Sequence, residues 1–247
     1  MRTFSIILAA MFILSMSNSN ATVKSEIETA NKAGNSVFLV VTDAQVTGTD
    51  KALEIANKAH ENYSKSNVIL MNRTEAANQE LVTKYKLAGA PLPLILVVAT
   101  NGLVAGGYIL AQATPELLVK SIPSPKKADV MKALSEGKSV FMVVSSKSMT
   151  KKSDLVNTCL KACTEMENNA KVIEVDMDNA QEKAFLTELN VNLTITEPQT
   201  YVINSKGQVT GNFNSEVNST TLVATAKKVS GGCCPTGSGK SCGPTKK

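Results

Sequence analysis

Five cysteines and a single histidine hold most of the reactive chemistry this chain can offer. Three of the thiols, Cys233, Cys234 and Cys242, crowd into the last stretch, Ser230-Gly-Gly-Cys-Cys-Pro-Thr-Gly-Ser-Gly-Lys-Ser-Cys-Gly-Pro-Thr-Lys-Lys. That segment is rich in Gly, Ser and Pro, has no large apolar residue to bury, and reads as a disordered tail. Lys240 beside Cys242 favours the thiolate. Three readings of the tail stay open. It can coordinate a soft metal such as Cu(I) or Zn, ions that thiolates suit. It can form one disulfide and leave one thiol for exchange or cross-linking. Or its cysteines pair without a specific role. The other two thiols, Cys159 and Cys163, sit one helical turn apart and share a face with Val156 and Leu160. They read as small structural core residues, with a two-thiolate metal pair as the alternative. A disulfide at that spacing would strain the helix. His60, with no partner nearby in sequence, reads as a surface or half-buried helix residue.

One motif is a decoy. Cys234-Pro-Thr-Gly-Ser-Gly-Lys-Ser241 resembles a phosphate-binding loop, but that loop works only between a strand and a helix. Here only Cys242 separates Ser241 from Gly243-Pro244, so no helix can follow. Nucleotide binding is excluded on that ground. Nucleic acid is disfavoured too: the chain has no Trp and few other aromatics on which bases could stack, and its net charge is only +5. Lys240, Lys246 and Lys247 of the tail, unaccompanied by any acid, account for much of that charge, so the remainder is nearly neutral. Asn62, Asn72, Asn192 and Asn218 fit the glycosylation pattern, a short motif common by chance.

The first residues read as a secretory leader over 1–21. Arg2 supplies the charge, Phe4 to Met16 is mostly apolar, and Ser19-Asn20-Ala21 offers small residues for cleavage near Ala21. The run is short of the roughly 17–25 residues needed to span a bilayer, and no later run is longer. The protein is therefore expected to be exported, periplasmic or extracellular, without stable membrane insertion.

The elements that must position any site are duplicated. Ser36-Val-Phe-Leu-Val-Val-Thr42 recurs as Ser139-Val-Phe-Met-Val-Val-Ser145, and Gly34 and Gly137 stand two residues before each run. In copy one, helices are expected at Val23–Ala33, Asp50–Tyr63, Thr74–Tyr85 and from Thr114-Pro115. Strands are expected at Val37–Val41, Val68–Met71, and on both sides of Asn101-Gly102, a hairpin turn that accepts positive φ. Copy two repeats the order, with helices at Ala128–Ser135, Ser153–Met166, Asp178–Leu189 and Thr220–Lys228. Its strands lie at Val140–Val144, Val172–Val175, Thr200–Ile203 and Val209–Phe213. The segments are then a leader (1–21), domain 1 (22–122), a stiff Pro-containing linker (123–127), domain 2 (128–229) and the tail (230–247).

The β-α-β-α-β-β-α order, together with Lys84-Tyr-Lys-Leu-Ala-Gly-Ala-Pro-Leu-Pro93 leading into Leu94–Val98 and Leu189-Asn-Val191 through Pro198 leading into Thr200–Ile203, resembles the thioredoxin fold. The resemblance implies an α/β chain of two tandem thioredoxin-like domains, each a mixed central sheet with helices on both faces. It further implies a cis-proline ahead of the hairpin. Pro93 and Pro198, each nine residues before the turn glycines Gly102 and Gly207, are the candidates. In that family the residue before this proline lines the substrate groove, which makes Leu92 and Glu197 contact candidates. The family's Cys-x-x-Cys would fall near Val46-Thr-Gly-Thr49 and Met149-Thr-Lys-Lys152, and neither stretch contains cysteine. Thr47 and Thr49 are expected to cap the helix instead. The resemblance without its dithiol points to a non-catalytic peptide- or protein-binding scaffold, with thiol or metal chemistry through the tail as the rival.

Overall fold

The computed structural model describes residues 22–229. The leader through Ala21 and the tail from Ser230, including Cys233, Cys234 and Cys242, lie outside the described residues.

Domain 1 contains α1 (Val23–Lys32), β1 (Ser36–Thr42), α2 (Thr49–Asn62), β2 (Ser66–Asn72), α3 (Gln79–Lys84), β3 (Leu94–Val98), β4 (Val104–Ile109) and α4 (Pro115–Lys120). Domain 2 repeats it with α5 (Pro125–Ser135), β5 (Ser139–Ser145), α6 (Lys152–Glu165), β6 (Ala170–Asp176), α7 (Lys183–Glu188), β7 (Gln199–Ile203), β8 (Val209–Phe213) and α8 (Ser219–Ala226). The sheets are ordered β2-β1-β3-β4 and β6-β5-β7-β8. In each, the first pair is parallel and the other two are antiparallel. This strand order, with helices on both faces, is the thioredoxin-like topology, present twice.

The physical reason is visible in the duplicated run. β1 and β5 are buried along their whole length, as strands covered on both faces must be, and such strands read as continuous apolar segments. Alternate residues serve opposite layers. Val37, Leu39 and Val41 meet Ile27 of α1 and Leu81 of α3, while Phe38 and Val40 meet Ala52 and Ala56 of α2 and Leu118 of α4. Domain 2 divides the same way, with Val140, Met142 and Val144 on one side and Phe141 and Val143 on the other. Both hairpins turn at a glycine with φ +79° and carry a register shift at the same place, Val97/Val98 and Val202/Ile203.

Several boundaries differ from the sequence expectation. The third helix of each copy does not begin at Thr74 or Asp178. A short 3₁₀ turn (Ala76–Asn78, Ala180–Glu182) comes first, because Asn72 and Asp176 side chains fold back onto the Thr74 and Asp178 amides and delay the helix. α5 begins at Pro125 rather than Ala128. Ser124 caps it by accepting from the Lys127 amide, and proline fits the first helical position. The buried carboxylate of Glu182 completes this junction, accepting from the Ser124 hydroxyl at 2.6 Å and the Lys126 amide at 3.1 Å. Among the described residues, no helix is long and apolar enough to cross a membrane.

Candidate functional site

In each domain the loop after the first strand, the N-terminus of the following helix and the proline loop converge at one end of the sheet. The two copies have built this end differently.

In domain 1 the helix α2 starts from Gly48, which adopts φ +87°. No side chain caps it, so the expected capping by Thr47 or Thr49 does not occur. The Thr49 hydroxyl instead pairs with the Thr42 hydroxyl at 2.6 Å, tying the helix to the end of β1. A Cβ on Gly48 would stand 2.9 Å from Leu110 Cδ2 and in ordinary contact, at 3.9 Å, with Pro93 Cγ, so the left-handed backbone and the close approach to Leu110 favour glycine here. The Leu92–Pro93 bond is cis, as the resemblance implied. Pro93 is buried and Leu92 is half-buried. Among the described residues, the Leu92 backbone amide and carbonyl make no intramolecular hydrogen bond.

Arg73, which sequence reasoning missed, holds this end together. Immediately after β2, its Nη1 donates to the carbonyls of Leu87 (3.2 Å) and Ala90 (2.8 Å), and its Nη2 donates to Asp43 Oδ2 (3.2 Å). The guanidinium fork thus joins the loop after β1 to the loop before Pro93. Both partners of the ion pair are mostly buried, at 23% and 16% exposure, so the pair is screened far less than a surface one.

Domain 2 lacks each of these devices. Met177, whose amide bonds the end of β5 as the Arg73 amide bonds the end of β1, packs into the core. Ser146 stands where Asp43 would be. Leu87 and Pro93 are six positions apart, whereas Val191 and Pro198 are seven. The extra residue lets the chain enter β7 without a cis bond: Leu92–Pro93 is the only cis bond among the described residues, and the cis expectation for Pro198 fails. Lys151, at φ 62°, replaces Gly48. Its ammonium lies 3.4 Å from Glu216 and 3.9 Å from Glu197, the residue preceding Pro198. Glu197 is therefore engaged by an exposed cation, while Leu92 faces no charge of this kind.

The folded thiols stand apart from both ends. Cys159 and Cys163 are free and buried, packed with Leu155, Ala162 and Leu222. Leu160, grouped with them by spacing, is 51% exposed instead. The Cys159 thiol donates to Thr200 Oγ1 at 3.6 Å, and burial pushes its pKa up to about 11 from 9.0; burial raises Cys163 as well. Neither is a nucleophile or a ready metal ligand at neutral pH. The folded pKa of Cys159 lies above the unfolded one, so its contribution to stability is complete below pH 9.0 and is lost as pH rises through about 11. Domain 2 is expected to weaken across that window in denaturant titrations, and Cys159→Ala is expected to flatten the dependence. His60 Nδ1 lies 3.1 Å from the Ser66 hydroxyl, which itself donates to the Tyr63 carbonyl, so Nδ1 is the donor. The ring pins the end of α2 to the start of β2. Among the described residues, no cluster of three or more His, Cys, Asp or Glu side chains is placed to hold a metal ion.

No protein-family model matches the chain, and no curated protein matches it. Solved structures similar to it include the first two thioredoxin domains of Naumovozyma dairenensis Eps1p, at 10% identity over 82% of this chain and 94% of that one, TM-score 0.29. The zinc-bound form of human ERp44 matches at 10% identity over 81% and 56%, TM-score 0.37. The NTD_N/C domain of the alkylhydroperoxide reductase AhpF from Enterococcus faecalis matches at 14% identity over 82% and 98%, TM-score 0.26.

Proposed function

We propose that the chain is an exported, non-catalytic binding module whose domain 1 receives an extended segment of a partner protein at the Leu92–Pro93 loop. The observation that carries this reading is the Arg73 fork, which fixes that loop against Asp43 while leaving the Leu92 backbone groups unpaired. A rigid loop with a free amide and carbonyl suits strand-like pairing with a peptide, and rigidity lowers the entropic cost of binding. Leu92 and Leu110, both half-buried, supply apolar surface at this end. The ion pairs of Lys151 disfavour the same use of Glu197 and Pro198 in domain 2, which acts as scaffold. Export rests on the leader reading of residues 1–21.

The test is a titration of the protein with a library of unstructured peptides, followed by amide chemical shifts. Shifts are expected at residues 43–49, 90–93 and 110. Leu92→Asp should weaken binding at least about tenfold, the scale of one lost apolar anchor, and Glu197→Ala should leave it unchanged. Shifts confined to other surfaces would overturn the reading.

A second reading is favoured by the burial of Cys159 and Cys163, which leaves thiol chemistry to Cys233, Cys234 and Cys242. Under it the tail binds Cu(I) or Zn(II), or exchanges disulfides, while the domains dock it. Thiol titre and metal binding are compared between the full chain and a chain ending at Ser230. Equal values in the two remove this reading.

A further inference from the structure

The start of β1 lies at the opposite end of domain 1 from the Leu92–Pro93 loop. Ser36 opens the strand and Thr42, whose carbonyl bonds the Arg73 amide, closes it. Its seven extended residues set the two ends about 20 Å apart. At the Ser36 end a cavity of about 890 Å³ lies between the domains. Small-molecule sites favour domain boundaries and clefts of about 300–1,000 Å³. Part of the lining is apolar: Val119 comes from domain 1, and Met131 and Phe185 come from domain 2. The two sides are fastened together by Glu182, which accepts from the Ser124 hydroxyl and the Lys126 amide. A ligand therefore meets a cavity that is already shaped, at a low cost of ordering.

Two observations give this cavity a ligand chemistry. Ser36 is only 1% exposed and lines the cavity, yet among the described residues its hydroxyl makes no hydrogen bond. It is not sealed from solvent as the unpartnered Tyr85 and Ser215 hydroxyls are, so its free donor is reached through the cavity. The charged residues of the lining are Lys65, Lys120 and Lys127 against Glu188 alone. Lys127 is paired with Glu188. Among the described residues, the Lys65 and Lys120 side chains have neither an ion-pair nor a hydrogen-bond partner. The Glu182 carboxylate is committed to Ser124 and the Lys126 amide and does not line the cavity. Two uncompensated cations and a free hydroxyl donor, set beside apolar surface, match an anion carried on an apolar body. A bare inorganic anion would leave the apolar lining wet, and a cationic ligand would be repelled by Lys65 and Lys120.

We propose that the interdomain cavity binds a soluble amphiphilic anion, a carboxylate on an aliphatic chain of medium length. The Ser36 hydroxyl donates to the carboxylate, Lys65 and Lys120 neutralise it, and the chain lies against Val119, Met131 and Phe185. This site is separate from the Leu92–Pro93 loop and does not depend on peptide binding there. Val119 and Met131 lie on either side of Ile122-Pro123, so an occupant touches both domains and opposes their relative rotation.

The test titrates the full chain with dodecanoate, followed by calorimetry and amide chemical shifts. Saturable binding is expected at submillimolar ligand, with shifts at Ser36, Val119 to Ile122 and Phe185. Acetate, which has the head without the chain, and dodecylamine, which has the chain with the opposite charge, should not bind. Changing Lys65→Glu and Lys120→Glu together should weaken dodecanoate at least about tenfold. Both lysines are exposed, so folding is preserved. Ser36→Ala removes only the hydroxyl and should weaken binding about tenfold, with a thermal melt that matches the parent. The protein should not co-sediment with vesicles of phosphatidylglycerol. Co-sedimentation that dodecanoate abolishes would move the ligand into a membrane and overturn the soluble one. Equal binding of dodecylamine, an unchanged affinity in the lysine double variant, or shifts confined to surfaces away from the cavity would overturn the proposal outright.

Discussion

Phe141→Ala is expected to destabilise domain 2 by about 3–5 kcal/mol, the usual cost of emptying a phenylalanine site in a closed core. Phe141 is fully buried, at 0% exposure, between β5, α6 and α8, and a domain of this size holds only about 5–15 kcal/mol in total. The same cluster contains Cys159 and Cys163, which makes the effect readable without a separate probe. Their alkylation requires opening of the domain, so labelling of those two peptides should accelerate by about two to four orders of magnitude, as the loss of about 3–5 kcal/mol implies. Phe38→Ala empties the equivalent site of domain 1. It should melt that domain by a comparable margin while Cys159 stays protected. Equal acceleration by both variants would show that the two sheets unfold as one cooperative unit.

Arg73→Met is expected to cost domain 1 about 2–3 kcal/mol, because it strands a mostly buried carboxylate and two carbonyls that lose a charged donor. The substitution installs the residue that domain 2 has at Met177, so side-chain volume is nearly conserved and the loss reports the hydrogen bonds. The reciprocal change, Met177→Arg, should not be stabilising. Ser146 replaces Asp43, and the longer loop to Pro198 sets different carbonyls in reach. A denaturant midpoint that drops for Arg73→Met with unchanged slope would confirm a local loss of stability rather than a change in what unfolds. If the peptide-binding reading holds, affinity falls with it, since the Leu87–Ala90 loop is no longer fixed.

Much of the fold was legible because its strongest constraints are local. A strand covered on both faces has to be apolar throughout, and the two Val-Phe runs are. Turn glycines with positive φ and the Thr114-Pro115 helix start announce themselves by residue type. The arrangement at Arg73 could not be read that way. Its partners lie 30, 14 and 17 positions distant in the chain, and an arginine after a strand is ordinary. The mismatch of Arg73 with Met177 was the available signal, and it shows only once the copies are aligned on their second strands. Pro198 misled because its distance to the hairpin glycine matches that of Pro93. The informative distance was the other one, back to the preceding helix, which differs by a residue. The threonines near Gly48 were assigned to capping on residue type alone, whereas the left-handed backbone at Gly48 turns the chain so that Thr49 meets Thr42.

The fastening of Ser124 and Lys126 to Glu182 bears on how the two halves can move. At the upstream side, the Ser121 and Ile122 amides are still bonded to the last turn of α4; at the downstream side, Ser124 already belongs to the opening of α5. Free rotation is thereby confined to the torsions around Ile122 and Pro123, and the proline ring removes one of these. A joint with so few torsions swings about an axis, like a door leaf, where a long polar linker would let one half wander through a cone. Distances measured between labels on the two domains should therefore form a narrow band along one arc, and Glu182→Ala should broaden it.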